Sequence, residues 1–503
     1  MTDPAHGVLH VIPRLSTGGA SRALIALAKY STQPGIFRHT VISLSPPDRR
    51  ALTLASEAGV NVQFTNDIQA VLKTLMDADI VQFHFWNSPE FYELLLSQLP
   101  PMRSLLWSHV NGLHSPHVIT LELLKMFDTF VASSPNTLNL ENVKLAGRRS
   151  AELVFAGADF ARLEDIQVAH HSMFNVGYIG TIDFAKMHPN FLKISAEIEI
   201  PNVRFILCGA GNATKTIKRQ TLENRVEERF EFFGYVEDIR AVLARLDVFG
   251  YPLCQDNYST SELVMQEAMY AGIPPVVLPF GGAPHLIVHG ESGLVARDEK
   301  EYARAIEFLY KNPSERFRLG RNAAVRARQL FGARNCAERF NYIYSRVLEI
   351  PKRMPPALHD MTANEDPITE LNLGAALLIR SLGDEAADFR ISLSTVEENM
   401  VLAAEGRIAT ATPALADCIL HYLNHFPNDG HLALWSGLVL LNRNRPALAT
   451  AAFSRAIDLG RDHWRVHWYL ARAARAAGSS ALANAALAVV HSTASQFVAE
   501  LVP

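Results

Sequence analysis

One glutamate stands in a segment that is otherwise almost entirely apolar. Glu267 lies in the run LVMQEAMYA, which covers residues 263–271 and has the length of a buried helix. Gly272 and Pro274 end that helix. A buried carboxylate is costly unless a cation pairs with it or a ligand binds it. The residues alone leave both explanations open: a buried Arg or Lys partner, or a ligand that donates hydroxyl hydrogens.

Other residues that could bind an anion or exchange protons lie next to predicted strands. Gly18 and Gly19 come between the strand VLHVIP and a helix, so backbone N–H groups there can approach a phosphate. Lys186 follows the strand FNVGYIGT, and His109 ends the strand SLLWSH. A histidine at a strand end is often a core residue, so a structural role for His109 stays open.

The segment from Ser259 to Glu262 leads into the helix that contains Glu267. Ser259 and Glu262 have the spacing of a capping box, which would be a purely structural role. If Glu262 is already helical, it lies roughly 140° from Glu267 around the helix, and the two carboxylates do not meet. Backbone N–H groups of residues 259–262 can still contact a diphosphate at the predicted helix start.

The elements that position these residues follow an α/β pattern. Short β-rich runs alternate with helical segments, and the pattern restarts at FNVGYIGT, near residue 174. Such alternation predicts parallel sheets covered by helices, with ligands at the carboxyl ends of the strands. We therefore predict two Rossmann-like domains facing across a cleft, residues 1–168 and residues 169–350.

The last third of the chain has a different composition. Residues 351–367 contain four prolines and predict a linker, and residues 368–503 are rich in Ala and Leu without a β pattern. Small or apolar residues recur there every 34 positions, as at Ala403, Gly437 and Ala471. This period resembles tetratricopeptide helical hairpins over about residues 396–490, with a general helical bundle as the alternative.

Composition limits the class of protein. The chain has 503 residues and a net charge of −4, which argues against nucleic-acid binding. Its four cysteines are far apart and have no metal-ligand spacing. The sequence has no signal-peptide pattern and no run of about 18 apolar residues. We expect a cytoplasmic protein, with a peripheral position at the inner membrane as a second possibility.

Taken together, these motifs resemble the retaining glycosyltransferases of family 4, which have the GT-B fold. The resemblance covers residues 7–350. Its most specific part is a Glu, then Ala-Met-x-x-Gly-x-Pro, a strand and Gly-Gly. The matching residues are Glu267, Ala268, Met269, Gly272, Pro274, Gly281 and Gly282.

The resemblance implies a hexosyltransferase-like enzyme (EC 2.4) that uses a nucleotide-sugar and needs no metal or other cofactor. Glu267 would bind the ribose, Lys186 and residues 259–262 the diphosphate, and His109 and the Gly18–Gly19 loop would complete the site. The predicted catalytic residues are His109, Lys186 and Glu262. The predicted donor-binding residues are Gly18, Gly19, Thr181, Lys186, Tyr235, Val236, Ser259, Thr260, Ser261, Glu262 and Glu267.

Two departures from the family pattern affect the chemistry. Ser259 stands where the family has a sugar-contacting glutamate, and Glu262 is the nearest carboxylate. Thr181 stands where an arginine is usual, so the diphosphate would lose one of two cations. The alternative is therefore a weakened GT-B scaffold or nucleotide-sugar sensor that acts through its helical repeats.

The repeats suggest a partner, because stacked helical hairpins form a groove. The acceptor could be a glycan, a lipid-linked glycan or a protein delivered by that groove. Alternatively, residues 368–503 mediate self-association or docking to another protein.

Overall fold

A computed structural model describes residues 6–32, 35–147, 151–164, 166, 169–358, 372–394 and 397–494. The predicted domain boundary at residue 168 and the part of the predicted linker from residue 359 to 367 lie outside the described residues. The chain divides into two compact units. The first lies within Met1–Trp86 and Gln98–Pro356, and the second within Asn87–Ser97 and Ala357–Pro503.

The first unit contains two parallel sheets, as the alternating pattern predicted. The first sheet has the order β3-β2-β1-β4-β5-β6-β7. Its order reverses between β1 and β4, and ligands bind parallel sheets at the carboxyl ends of the strands beside such a reversal. Its strands are β1 His6–Arg14, β2 Phe37–Ser45, β3 Asn61–Phe64, β4 Ile80–Phe85, β5 Ser104–Ser108, β6 Thr129–Ala132 and β7 Ala151–Leu153.

The second sheet is also parallel, with the order β10-β9-β8-β11-β12-β13 and a reversal between β8 and β11. The residues after β8 therefore lie at the edge where a ligand is expected. The strands are β8 Phe174–Ile179, β9 Val203–Cys208, β10 Phe230–Gly234, β11 Val248–Tyr251, β12 Pro275–Val277 and β13 Leu294–Val295.

Helices alternate with the strands of both sheets along the chain. Those before β8 are α1 Gly19–Ser31, α2 Arg49–Glu57, α3 Ile68–Asp77, α4 Pro89–Leu96, α5 Leu121–Lys125, α6 Pro135–Leu138 and α7 Glu141–Leu145. Those after it are α8 Phe191–Ala196, α9 Thr214–Glu223, α10 Arg240–Leu243, α11 Leu263–Tyr270, α12 Glu299–Lys311, α13 Pro313–Leu330 and α14 Ala333–Leu348. Helix α14 packs against α1, so the end of the second α/β segment returns to the first domain.

The second unit is helical. It comprises α4 and a series that begins at residue 373. The series is α15 Leu373–Leu382, α16 Ala387–Leu393, α17 Glu398–Ala409, α18 Pro413–His425, α19 Gly430–Asn442, α20 Pro446–Asp458, α21 Trp464–Ala476 and α22 Ser480–Thr493. Helix α21 begins 34 residues after α19, and α22 begins 34 residues after α20.

Two repeat positions show why small residues recur in this unit. A Cβ atom on Gly437 would lie 2.5 Å from Cε1 of Phe453, so only glycine lets α19 approach α20 this closely.

Within the described parts of the chain, none of the helices combines the length and apolarity that crossing a membrane requires.

Candidate functional site

A cavity of about 640 Å³ lies between the two α/β domains of the first unit. This volume is within the range of pockets that hold small ligands. Residues that follow β1 line it from one side, and residues that follow β8, β10 and β11 line it from the other. Seven of the predicted site residues line it: Gly18, Gly19, Thr181, Lys186, Tyr235, Val236 and Glu262.

A buried ion pair joins two of these residues. Lys186 Nζ lies 2.8 Å from Glu262 Oε2, and their side chains are only 13% and 6% exposed. The Tyr251 hydroxyl donates to the same carboxylate oxygen at 2.6 Å. Burial alone would lower the pKa of Lys186, but the adjacent Glu262 carboxylate raises it above its usual value. Lys186 therefore carries a positive charge in the cavity at neutral pH.

The backbone at Glu262 is strained. Its φ is +29° and its ψ is 78°, in a region that residues with a side chain rarely adopt. Glu262 is the N-cap of α11, and the helix begins at Leu263. The possibility that Glu262 is helical is therefore wrong, and so is the capping box, because the Ser259 hydroxyl instead accepts from Gly282 N. The strained turn directs the Glu262 carboxylate to Lys186.

The segment before Glu262 is fixed by buried hydrogen bonds. The Thr260 hydroxyl donates to the His109 carbonyl at 3.3 Å, and the Ser261 hydroxyl donates to the Ser133 carbonyl at 2.7 Å. Ser259 N donates to the Asn257 side chain, so this N–H is not free to contact a diphosphate. The predicted site residues Ser259, Thr260 and Ser261 are buried and do not line the cavity. They hold the turn that positions Glu262.

Glu267 is fully buried one and a half helical turns further on. Arg22 from α1 and Arg162 both bind its Oε1, with Arg22 Nη2 at 3.0 Å. Its Oε2 has no hydrogen-bond partner among the described residues. Both arginines line the cavity, although Glu267 itself does not. The predicted alternative of a cation partner is therefore present, and one carboxylate oxygen remains unpaired.

Further charged groups face one another across the cavity. Lys29 Nζ lies 2.9 Å from Asp159 Oδ2, and the Tyr30 hydroxyl donates to Asp159 Oδ1 at 2.7 Å. The Arg50 guanidinium lies 5.1 Å from the ring centre of Tyr235. That contact joins α2 of the first domain to the predicted donor-binding segment of the second.

His109 lies apart from this cavity. It is 8% exposed and does not line the cavity. Its Nε2 is 2.8 Å from Nδ1 of His84, another buried histidine. Burial lowers the pKa of His109 to about 3, so the ring is neutral at physiological pH. Its predicted contact with a donor sugar stays a prediction.

Sequence reasoning missed three groups that define the site: Arg22, Arg162 and Tyr251. Arg22 lies in the first turn of α1, directly after the Gly18–Gly19 loop, and a cation at a helix start is a local signal for a nearby anion. Arg162 and Tyr251 gave no signal of this kind. Among the described residues, no three His, Cys, Asp or Glu side chains are grouped to hold a metal ion.

Comparison with known families identifies the second α/β domain. The sequence profile of the family "Glycosyl transferases group 1" matches residues 161–326, which include Arg162, Lys186, Glu262 and Glu267. The D-rhamnosyltransferase WbpZ of Pseudomonas aeruginosa is 24% identical over 355 residues, which cover 63% of this chain and 89% of that protein.

Other relatives match over shorter segments. A D-inositol 3-phosphate glycosyltransferase of Corynebacterium glutamicum is 29% identical over 27% of this chain, and the chain spans only 34% of that protein. Among solved structures, the Anabaena protein HepE in complex with UDP and glucose aligns with 68% of this chain and all of its own chain. The TM-score is 0.56 and the identity is 19%, so this likeness establishes the two-domain GT-B fold.

Proposed function

Since the chain is a glycosyltransferase with a group 1 domain, we propose that it transfers a sugar from a nucleotide-sugar bound in the cavity between its α/β domains. The acceptor is a glycan, a lipid-linked glycan or a protein. Following the resemblance to family 4, we propose that the anomeric configuration is retained and that no metal or other cofactor is needed.

One observation carries this proposal. Each sheet has a ligand-binding edge, and both edges face the same cavity. Lys186 lies there as a buried cation. A departing nucleoside diphosphate develops negative charge, and a fixed cation in a site that excludes water stabilises such charge strongly. Lys186, held by Glu262 and Tyr251, is placed to supply that stabilisation.

Arg22 supplies the second cation that is missing because Thr181 stands where the family has an arginine. Arg22 and Arg162 share a single oxygen of Glu267, so this group keeps one net positive charge next to the cavity. Arg22 also follows the Gly18–Gly19 loop, where α1 begins without a side-chain cap or an acidic residue in its first turn. We therefore assign Arg22, together with Lys186, to the diphosphate of the donor.

Glu267 is assigned to the ribose of the donor. Its unpaired Oε2 is a buried acceptor, and leaving a buried acceptor unpaired costs about 1–3 kcal/mol. A ribose hydroxyl that donates to this oxygen would remove that cost. The two arginines on Oε1 fix the orientation of the carboxylate.

The melting temperature measured with and without UDP, GDP, ADP, CMP and their sugar conjugates tests the donor site. A ligand that binds only the folded state stabilises it by about 2.7 kcal/mol at a hundredfold excess over its Kd. We expect one base to raise the melting temperature, and we expect Glu267→Gln to reduce that rise. Glu223→Gln, an exposed glutamate on α9, is the matched control.

The outcome separates the main alternatives. Binding followed by transfer or hydrolysis of the sugar supports the enzyme. Binding without either reaction would indicate the nucleotide-sugar sensor. The absence of a shift with every nucleotide would contradict the donor site and direct attention to the helical unit.

We also propose that the helical unit is a tetratricopeptide-like module that binds a protein or associates with a second copy. The 34-residue spacing of its helices and the Gly437–Phe453 packing support this assignment. Leu448 and Leu482, themselves 34 residues apart, are exposed at equivalent repeat positions on α20 and α22. Self-association through this face would bury them.

Light scattering of the full chain over a range of concentrations tests the self-association. The double variant Leu448→Glu, Leu482→Glu is expected to convert a concentration-dependent dimer into a monomer. Leu373→Glu, at another exposed leucine of the unit, serves as the control. A monomer at every concentration would favour a different protein partner.

A further inference from the structure

Four buried histidines form a continuous hydrogen-bonded row across the first sheet. His39 on β2, His10 on β1, His84 on β4 and His109 after β5 lie on neighbouring strands. The N···N distances along the row are 2.8, 3.0 and 2.8 Å. None of these side chains takes part in the cavity described above.

Every link in the row joins Nδ1 of one ring to Nε2 of the next. His39 Nδ1 meets His10 Nε2, His10 Nδ1 meets His84 Nε2, and His84 Nδ1 meets His109 Nε2. Burial lowers the pKa of all four rings, so each is neutral and carries one N–H.

A neutral row of this geometry has two fully hydrogen-bonded states. Each link needs one hydrogen, and each ring can supply one. If His39 carries its hydrogen on Nε2, the first link must be filled by His10 Nε2–H, and the same requirement passes along the row to His109. If His39 carries it on Nδ1, all four rings carry it on Nδ1. Any mixture leaves a buried link with two hydrogens or none, which is costly.

The end of the row at α1 selects between these states. His39 Nε2 lies 2.9 Å from the Ser31 hydroxyl, which donates its own hydrogen to Asn341 Oδ1 on α14. Ser31 must therefore accept from His39, and His39 carries its hydrogen on Nε2. It follows that His109 has Nε2–H and a bare Nδ1.

We propose that this row is a positioning device that sets the tautomer of His109 from Ser31 and Asn341, four rings away. The row ends at the junction of the two domains, where the His109 carbonyl accepts from Thr260 and Asn111 binds the Tyr258 and Asn257 carbonyls. A bare Nδ1 can only accept a hydrogen bond, so a ligand that reaches it must donate one. His109 does not line the cavity described above, so its contact with a hydroxyl of the donor sugar is part of the proposal and not an observation. This last step rests on the proposed function, whereas the coupling of the rings does not.

Ring nitrogen NMR shifts of the full chain, labelled with ¹⁵N-histidine, test the row, because protonated and bare nitrogens differ widely. His109→Gln identifies the His109 signals among the 19 histidines. We expect Nε2–H in all four rings of the wild type. Asn341→Ala frees the Ser31 hydroxyl to donate to His39, so all four rings should change to Nδ1–H. Ser31→Ala removes the selection and should give both forms.

Ser345→Ala is the matched control, since its hydroxyl bonds the Asn341 carbonyl and lies outside the row. His109 signals that are unchanged in both Asn341→Ala and Ser31→Ala would overturn the coupling.

Donor affinity is then measured by titration. Asn341→Ala should weaken it roughly two- to tenfold relative to Ser345→Ala, through one lost neutral hydrogen bond. A tautomer change without that loss would overturn the positioning role, and failure of wild-type nucleotide binding would overturn the proposed function while leaving the row intact.

Discussion

Two glutamates, Glu267 beside the cleft and Glu405 in the helical unit, are both fully buried in helices and both paired with arginine. They differ in how completely their oxygens are used. Both oxygens of Glu405 have partners: the Ser392 hydroxyl at 3.4 Å on Oε1, and the Tyr469 hydroxyl at 2.8 Å and Arg465 at 3.3 Å on Oε2. Glu267 leaves Oε2 unpaired.

This difference distinguishes the structural role of Glu405 from the ribose-binding role that we propose for Glu267. Hydrogen bonds satisfy both oxygens of Glu405, and the network extends to Trp435 Nε1, which donates to the Ser392 hydroxyl at 3.1 Å. Burial raises the pKa of Glu405 despite the nearby Arg465. Glu267 has an unpaired oxygen behind two arginines that line the cavity, and the proposed ribose hydroxyl would supply the missing hydrogen bond.

The largest expected effect is a greater loss of stability in the first unit than in the helical unit when the pH falls. Its histidine row has lowered pKa values, about 4 for His39 and about 3 for His109, against about 6.5 unfolded. Between those values the unfolded state binds more protons, so stability falls as pH decreases from about 6.5 to 4. Each histidine contributes at most about 1.4 kcal/mol per pH unit.

Hydrogen exchange read on peptides from each unit, corrected for its intrinsic pH dependence, measures this effect. In the helical unit, burial also lowers the pKa of His431 to about 4, but the raised pKa of Glu405 acts in the opposite direction, because a group with a raised folded pKa adds stability as pH falls through that pKa. Equal loss of protection in both units on acidification would contradict the contrast.

Removal of the Glu405 carboxylate should have the next largest effect. Glu405→Ala leaves Arg465 buried without one of its partners, and breaking a buried ion pair costs about 3–5 kcal/mol. Denaturant unfolding should show this loss, while the nucleotide-induced shift in melting temperature stays unchanged. Asp458→Ala, an exposed acid in the same unit, should alter neither quantity appreciably.

Glu267→Gln should lower nucleotide affinity, which Glu405→Ala leaves unchanged. A hydrogen bond to a charged group is worth about 1.5–3 kcal/mol, so nucleotide affinity should fall about 10- to 150-fold. Isothermal titration of the full chain gives the affinity. If the variant is destabilised but binds nucleotide as well as the wild type, Glu267 belongs with Glu405 as a structural carboxylate.

The smallest expected effect is at Arg22. Its side chain is 26% exposed, so its electrostatic contribution is partly screened, and Arg22→Gln should weaken binding by about 1 kcal/mol, or about fivefold. The loss should occur with the nucleoside diphosphate and not with the nucleoside. An equal loss with both ligands would mean that Arg22 acts only through Glu267.

The sequence was sufficient to predict the two parallel sheets and the meeting of the Gly18–Gly19 loop with Lys186 and Glu262. Period-two and helical patterns report local structure, and strand ends on one sheet edge must come together. It was not sufficient for the partners of Glu267. Arg22 is 245 positions away and Arg162 is 105 positions away, and spacing does not show which distant cation reaches a given carboxylate.

Two further features escaped sequence reasoning for related reasons. The positive φ of Glu262 is imposed by tertiary contacts, because its residue type does not favour that conformation. The histidine row depends on strand order, since β1, β2, β4 and β5 become neighbours only in the folded sheet. His10 and His39 lie within predicted strands and carried no motif.

Helix α4 has a consequence for how the chain is made. It lies between β4 and β5 in sequence but belongs to the helical unit, where Asn87 accepts a hydrogen bond from the Tyr422 hydroxyl, 335 positions later. At about 5–20 residues per second, the ribosome needs roughly 17–70 s to make that stretch. During this time α4, with Phe91, Tyr92, Leu94 and Leu95 that end up buried, waits without its partners. The N-terminal part of the chain is therefore synthesised before α4 can pack against its own unit. The apolar side chains of α4 lack these packing partners until the last third of the chain has emerged from the ribosome.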